Sequence, residues 1–340
     1  MSPQRAADAV TVGVIGAGFG KAVHVPAFRA DSRCVVIAIA ASKAESARRA
    51  AEELGIERSS GDWRTIVDDP GIAAIAIALP PALQVQVARH AIGKGKHVFL
   101  EKPVATSAAE AESLLSAAEK ARVVHAIDFE FPEIPAWRTT RAMLADIGDL
   151  RNVVVQWQFE TYTIRTRADS WKVKPSEGGG TLSNFASHVF YNLEWLVGPI
   201  ARLSARLADS GGVSEVLVDM MLQFKSGVPG SIAIAANAIG GPGHVVQLFG
   251  EHGSLTLRNP GPKYCDGFEL THGTRERVSM VPVEGLLKDR IDAVARVAHR
   301  FVDAILNGGS IEPNLRHGAR VQRLLDAARD SHNRQAWVEV

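Results

Sequence analysis

Over its first 130 residues the chain alternates short apolar runs with alanine-rich stretches of helical character, and this alternation constrains the fold most. The runs cover residues 10–15, 35–41, 72–79, 98–100 and 123–127, and the helical stretches lie near 22–29, 43–54, 83–93 and 108–121. A strand that is apolar on both faces needs cover on both faces, which a parallel sheet wrapped by helices provides. Two helix starts carry capping-box signals, Ser42 with Glu45 and Ser107 with Glu110. Residues 10–130 therefore read as a doubly wound α/β domain of Rossmann type, preceded by a polar flexible tail over 1–9 whose only charge besides Asp8 is Arg5.

After this point the pattern changes. Residues 131–340 are expected to form an α+β domain, with a helix near 136–145 and strands at 153–163, 215–224, 230–236, 244–249 and 254–257. Ser210-Gly211-Gly212 and Gly240-Gly241-Pro242-Gly243 supply turns between them. Ile291, Val294, Ala298, Phe301, Val302 and Ile305 recur at helical spacing before Gly308-Gly309, and Val321, Leu324, Leu325 and Ala328 mark a last helix.

The 340 residues suffice for two cores. Lys and Arg total 38 against 37 Asp and Glu, a net charge of +1, which argues against a broad nucleic-acid-binding surface. Cys34 and Cys265 form neither a metal-ligand spacing nor a disulfide framework, so no metal is expected and a reducing, cytoplasmic setting is the simpler expectation. No apolar run approaches the roughly 18 residues of a membrane span, and the first residues lack the apolar stretch of a secretory leader.

Gly16-Ala17-Gly18-Phe19-Gly20-Lys21 stands where the first strand should turn into a helix. Glycines there let the backbone approach a pyrophosphate, and amides at the helix start bind its charge. The third glycine comes one place early, with Lys21 in its usual position. The second strand ends Ala40-Ala41-Ser42-Lys43, without the acid that would accept from the ribose 2′-hydroxyl of NAD. A hydroxyl beside an ammonium suits a 2′-phosphate, so NADP is favoured, with NAD as the alternative.

Farther along come Gly93-Lys94-Gly95-Lys96-His97-Val98 leading into Glu101-Lys102-Pro103, the triple glycine Gly178-Gly179-Gly180 before a helix, and a terminal Trp337-Val338-Glu339-Val340 strand. Together with the glycine turn, these resemble the glucose–fructose oxidoreductase/inositol dehydrogenase (Gfo/Idh/MocA) superfamily over nearly the whole chain. The resemblance implies an NAD(P)-dependent dehydrogenase or reductase acting on a sugar, inositol or sugar-like substrate. It places Lys102 near the nicotinamide and the reacting carbon–oxygen bond, and implies a cis peptide before Pro103. A partly buried lysine suits proton transfer to or from a carbinol oxygen.

Asn184 and His188 lie four apart on the helix expected over 181–197 and resemble the family's Asp-x-x-x-His pair. His188 is implied to work beside Lys102 in proton transfer. Asn184 replaces the usual Asp; it can bind a substrate hydroxyl but cannot carry the charge that supports an imidazolium. Leu79-Pro80-Pro81-Ala82-Leu83-Gln84 departs from a family Thr-Pro-Asn-x-x-His segment, and Leu79, Pro80 and Gln84 are still expected at the nicotinamide side. Phe19 and Glu101 join Gly16, Gly18, Gly20, Lys21, Ser42, Lys43 and Lys102 as expected cofactor contacts.

Residues 162–174 read either as a solvated edge loop or as a loop over the substrate, with Tyr162, Trp171 as a sugar platform and Lys172 as substrate contacts. The resemblance also implies a large open-faced sheet in the second domain and pairing through it into a homodimer or homotetramer. Two other readings stay open: a non-enzymatic NADP-binding sensor, and an oxidoreductase with a tightly bound, recycled cofactor.

Overall fold

Six short strands build the first sheet: β1 (Val10–Ile15), β2 (Cys34–Ala40), β3 (Arg58–Ser60), β4 (Ala74–Ile77), β5 (His97–Leu100) and β6 (His125–Ile127). The structure is a computed structural model and describes residues 9–209, 214–261, 265–285 and 287–340. The expected tail, apart from Ala9, and the Ser210-Gly211-Gly212 turn lie outside the described residues. The sheet is parallel throughout, in the order β3-β2-β1-β4-β5-β6. This is the doubly wound order, with its direction of winding reversing between β1 and β4. Every residue of β4 is buried, as a strand covered on both faces requires.

One of the two expected helix caps forms. The Ser107 hydroxyl accepts from the Glu110 amide at 3.3 Å, while Glu110 reaches back to the amide and hydroxyl of Thr106. Ser42 does not cap: the helix Ala44–Leu54 starts from Lys43 with no side-chain cap bond.

The chain divides into two compact units, and the division is not linear. Residues Ile291–Arg320 belong with Met1–Glu130, whereas Phe131–Arg290 and Val321–Val340 form the second unit. From the sequence, all the C-terminal helices are expected in the second domain. Instead, Val294, Val297 and Phe301 of the helix Arg290–Asn307 join the buried cluster around Val12, Phe28 and Phe99. Phe301 meets the Phe28 and Phe99 rings edge-on at 6.1 and 5.7 Å. An apolar stripe declares that a helix must be covered, not which sheet will cover it.

In the second unit, nine strands form one sheet: β7 (Leu150–Gln158), β8 (Ile200–Ala208), β9 (Leu217–Phe224), β10 (Pro229–Ala235), β11 (Gly243–Gly250), β12 (Ser254–Asn259), β13 (Glu269–Gly273), β14 (Val278–Val281) and β15 (Val338–Glu339). All pairings are antiparallel except β7 with β10. Strands β8, β13 and β14 were not foreseen; in β8, Arg202, Ser204 and Arg206 interrupt the apolar signal. The strand expected to run through residue 163 stops at Gln158, and Tyr162–Thr166 is a helical turn whose Thr161 hydroxyl caps the Ile164 amide at 3.3 Å. Along β9, Val218, Met220 and Leu222 are buried while Leu217, Asp219 and Met221 face outward, so this sheet face is open in the single chain. Among the described residues no helix is long and apolar enough to cross a membrane.

Candidate active site

The carboxyl ends of β1, β4 and β5 carry most of the residues expected to hold a dinucleotide. Gly16 turns the chain at φ 117°, and a Cβ there would lie 2.3 Å from the Ala78 carbonyl oxygen. Only glycine lets the two backbones pass so closely. Around Gly18 there is nothing within 4 Å of such an atom, which leaves its backbone open to a ligand. A Cβ on Gly20 would sit 2.9 Å from Val14 Cγ1. Gly20 thus performs the close helix–strand packing that the third glycine normally serves, one position early, and a π-helical turn at Gly20–His24 carries the chain into the helix Val25–Arg29. These features fit a bound dinucleotide.

Lys21 forms an ion pair with Glu53, whose carboxyl that bond holds below its usual range. Ser42 and Lys43 are exposed just beyond β2, and the Ser42 hydroxyl is not consumed by the cap expected of it.

Lys102 follows β5 and is partly exposed, with a cis peptide to Pro103 as the resemblance implied. The loop around it is held from below by Gln84. The Gln84 amide nitrogen donates to the carbonyls of Glu101 at 2.7 Å and Pro103 at 3.2 Å, and its oxygen accepts from the Glu101 amide at 3.2 Å. Gln84 is fully buried, so its amide acts on the loop's backbone rather than as the cofactor contact expected from its position. Glu101 likewise turns its carboxylate inward: His24 Nε2 lies 3.0 Å from Glu101 Oε1 and 3.7 Å from Asp128 Oδ2. Phe19 stands perpendicular to the His24 ring, 5.5 Å away.

In the second unit the triple glycine is a steric necessity. A Cβ on Gly179 would lie 2.1 Å from the Trp171 carbonyl oxygen, and one on Gly180, at φ 118°, would lie 2.2 Å from Glu215 Oε1. The helix that follows opens with a π turn at Leu182–Ala186 and continues as Ser187–Leu196. Asn184 Nδ2 donates to the carbonyls of Gly180 at 2.8 Å and Lys172 at 3.2 Å. His188 is buried, its ring 4.9 Å from Phe131 and 6.3 Å from Trp157.

A cavity of about 540 Å³ opens in this unit, with Tyr162, Lys172, Asn184, Phe185, Glu215 and Arg290 in its wall. His188 and Trp171 are not among its lining residues. Three of the five nominated substrate residues of this unit therefore share one cavity.

Both halves of the chain match models of a single family: residues 10–129 the oxidoreductase family's NAD-binding Rossmann fold, and residues 141–340 its C-terminal alpha/beta domain. The chain belongs to the Gfo/Idh/MocA oxidoreductase family. An uncharacterized oxidoreductase of Synechocystis is 33% identical, with 97% of this chain and 96% of that protein aligned. Levoglucosan dehydrogenase of Pseudarthrobacter phenanthrenivorans is 28% identical over 97% of this chain and 98% of that one. A solved levoglucosan dehydrogenase in complex with NADH and levoglucosan resembles this fold with a TM-score of 0.87 at 27% identity, covering 97% of this chain and 99% of that one.

Within this family framework, three groups escaped the sequence reading. Glu215 lines the cavity, and its Oε1 accepts from the Leu182 amide at 3.0 Å while burial pushes its carboxyl up. An isolated Glu ahead of a strand carries no local signal. His24 and Asp128 are buried beneath Glu101, and nothing in their spacing links residues so far apart. Their ligand-type atoms and those of Glu101 lie within 4.8 Å of one another, but the 3.0 Å His24–Glu101 separation is that of an N–H···O bond.

Proposed function

We propose that this family member is an NADP-preferring oxidoreductase that interconverts a carbinol and a carbonyl on a sugar-like substrate, with Lys102 and His188 in proton transfer. One observation carries the reading: Lys102 stands at the carboxyl end of β5 on a loop that Gln84 and Glu101 fix from beneath, in the same domain as the glycine turn.

Nicotinamide, when bound, supplies the hydride chemistry. The Gly16–Gly20 turn would hold the pyrophosphate, and Ser42 with Lys43 the 2′-phosphate. In the oxidative direction the substrate hydroxyl gives its proton to the Lys102 Nζ lone pair as the C–H bond breaks with its electron pair; in the reductive direction the Lys102 ammonium returns that proton to the carbonyl oxygen. His188, the second proton-transfer group, comes from the helix that the triple glycine introduces. Tyr162 and Lys172, on the cavity wall with Asn184, supply polar contacts for hydroxyls, and Trp171 an apolar platform. The outward face of the nine-stranded sheet, with Leu217 and Met221, is the surface through which copies pair.

The test is a panel of levoglucosan, aldoses, inositols and uronates offered with NAD⁺ and NADP⁺ to the purified protein, beside fluorescence titrations with NADH and NADPH. Turnover of at least one polyol and tighter NADPH binding are expected. Binding of both nucleotides with no turnover across the panel would favour a cofactor-binding sensor and overturn this reading.

A further inference from the structure

Beneath the Lys102 loop, three ionisable side chains from three separate elements meet in the first domain. His24 closes the π turn after the glycine motif, Glu101 follows β5, and Asp128 follows β6. His24 is wholly buried and Asp128 is 2% exposed. The Asp128 amide donates to the Leu100 carbonyl at 2.8 Å, which brings the ends of β5 and β6 together under the loop. A carboxylate can only accept, so the proton between His24 and Glu101 sits on His24 Nε2. The imidazole stands perpendicular to Phe19 at 5.5 Å and to Phe99 at 5.2 Å, both at 88°. No solvent reaches this ring to screen a charge there.

We propose that His24, Glu101 and Asp128 form a buried proton-holding unit that fixes the Lys102 loop and sets the charge Lys102 experiences, with His24 a positioning residue for the reaction. The coupling is a property of the folded chain; its consequence for turnover rests on the assignment of Lys102 to proton transfer.

The charge states follow from the contacts. Burial alone would strip His24 of its second proton, but the close approach of Asp128 and the hydrogen bond with Glu101 outweigh it and raise its pKa to about 9. Burial would raise Glu101, yet the His24 bond and the charges of His24 and Lys102 hold it below its usual range. For Asp128, burial first and then the Glu101 charge push the carboxyl well above that range, with Glu130 adding to the effect. These directions favour the protonated imidazole beside the Glu101 carboxylate and the protonated form of Asp128, and the charges of Lys102 and Glu130 also act on the unit. Because His24 belongs to the turn that follows the dinucleotide glycines, the same hydrogen bond ties that turn to the lysine loop.

The experiment reads Lys102 directly. In protein carrying ¹³C-labelled lysine side chains, the Lys102 Cε resonance, assigned by its disappearance in Lys102→Ala, is followed through a pH titration. His24→Gln removes a positive charge behind Lys102, stabilises its ammonium and should raise the titration midpoint by about one pH unit. Asp128→Asn puts a neutral amide where burial and the Glu101 charge favour the protonated acid, and should leave the midpoint within a few tenths of a unit. NADH fluorescence titration of each variant checks that the domain is folded. A midpoint unmoved by His24→Gln, or moved as far by Asp128→Asn, overturns the proposal. Should His24→Gln not fold, ¹³C-labelled histidine in the unaltered protein decides: a His24 imidazole still charged at pH 8 upholds the unit, and one neutral at pH 7 overturns it. Activity of Lys102→Ala is scored separately, so a shifted midpoint alongside undiminished turnover would keep the coupling and remove only the catalytic assignment.

Discussion

Asn184 donates its side-chain amide to the backbone carbonyl of Lys172, 3.2 Å away, and the same nitrogen donates to Gly180 at 2.8 Å. Both partners are acceptors, so the position calls for a donor, and this accounts for an amide where the family usually carries a carboxylate. Both carbonyls also accept backbone amides, Asn184 N–H to Gly180 at 2.9 Å and Gly180 N–H to Lys172 at 2.8 Å, so Asn184→Asp leaves them paired but sets a buried carboxylate against two oxygens with no donor for it. A cost of about 1–3 kcal/mol is expected, the range for a buried polar group, here the new carboxyl, that finds no partner. Thermal denaturation should show a lower midpoint, and turnover should fall. A variant as stable as the parent would show that the turn does not depend on this amide.

Lys102→Ala should lower kcat by roughly 10²–10⁴-fold, the range of a positioned acid–base group, with NADPH affinity retained. Steady-state kinetics on whichever polyol the panel identifies supply the measurement. Near-normal kcat would take Lys102 out of the chemistry.

Ser42 and Lys43 lie exposed beyond β2 with the hydroxyl not engaged in a cap. Ser42→Asp should reverse the nucleotide preference, because a carboxylate repels the 2′-phosphate of NADPH and accepts from the 2′-hydroxyl of NADH. Paired fluorescence titrations decide it. An unchanged ratio of the two affinities would place 2′-phosphate recognition elsewhere.

His244 stacks on Trp157 at 4.1 Å and 1°, within an aromatic cluster that includes Phe131, Trp137 and Phe268. Burial pushes its pKa down to about 3. The unfolded chain takes up a proton near pH 6.5 that the folded chain refuses, so His244 costs stability progressively as pH falls from about 6.5 toward 3. At pH 5 the loss is about 2 kcal/mol. His244→Phe preserves an aromatic ring against Trp157 and should flatten that dependence. Urea denaturation at pH 7 and pH 5 measures it, and equal acid sensitivity in both proteins would exclude His244 as the cause.

Local periodicity and local sterics are legible in the chain before it folds. Apolar runs separated by helical stretches dictate a parallel sheet, because a strand apolar on both faces must be covered twice. Gly16 and Gly18 announce a turn that only glycine makes at close quarters, and Ser107 caps its helix because its partner is three residues away. Tertiary structure decided the rest. Helix 291–307 has a readable apolar stripe, but its choice of the first domain's core depends on Phe28 and Phe99, which are more than 190 residues distant. The position of Gln84 suggests a cofactor contact, but the fold sets its amide against the Glu101 and Pro103 carbonyls, and it is the fold that directs the Asn184 amide hydrogens to Lys172 and Gly180 at the cavity wall. His24, Glu101 and Asp128 share no pattern along the chain and meet only because parallel strands deliver their carboxyl ends to one edge of the sheet. Periodicity specifies that a face must be buried; which donor then faces which acceptor is a property of segments far apart in sequence, set only when the cores close.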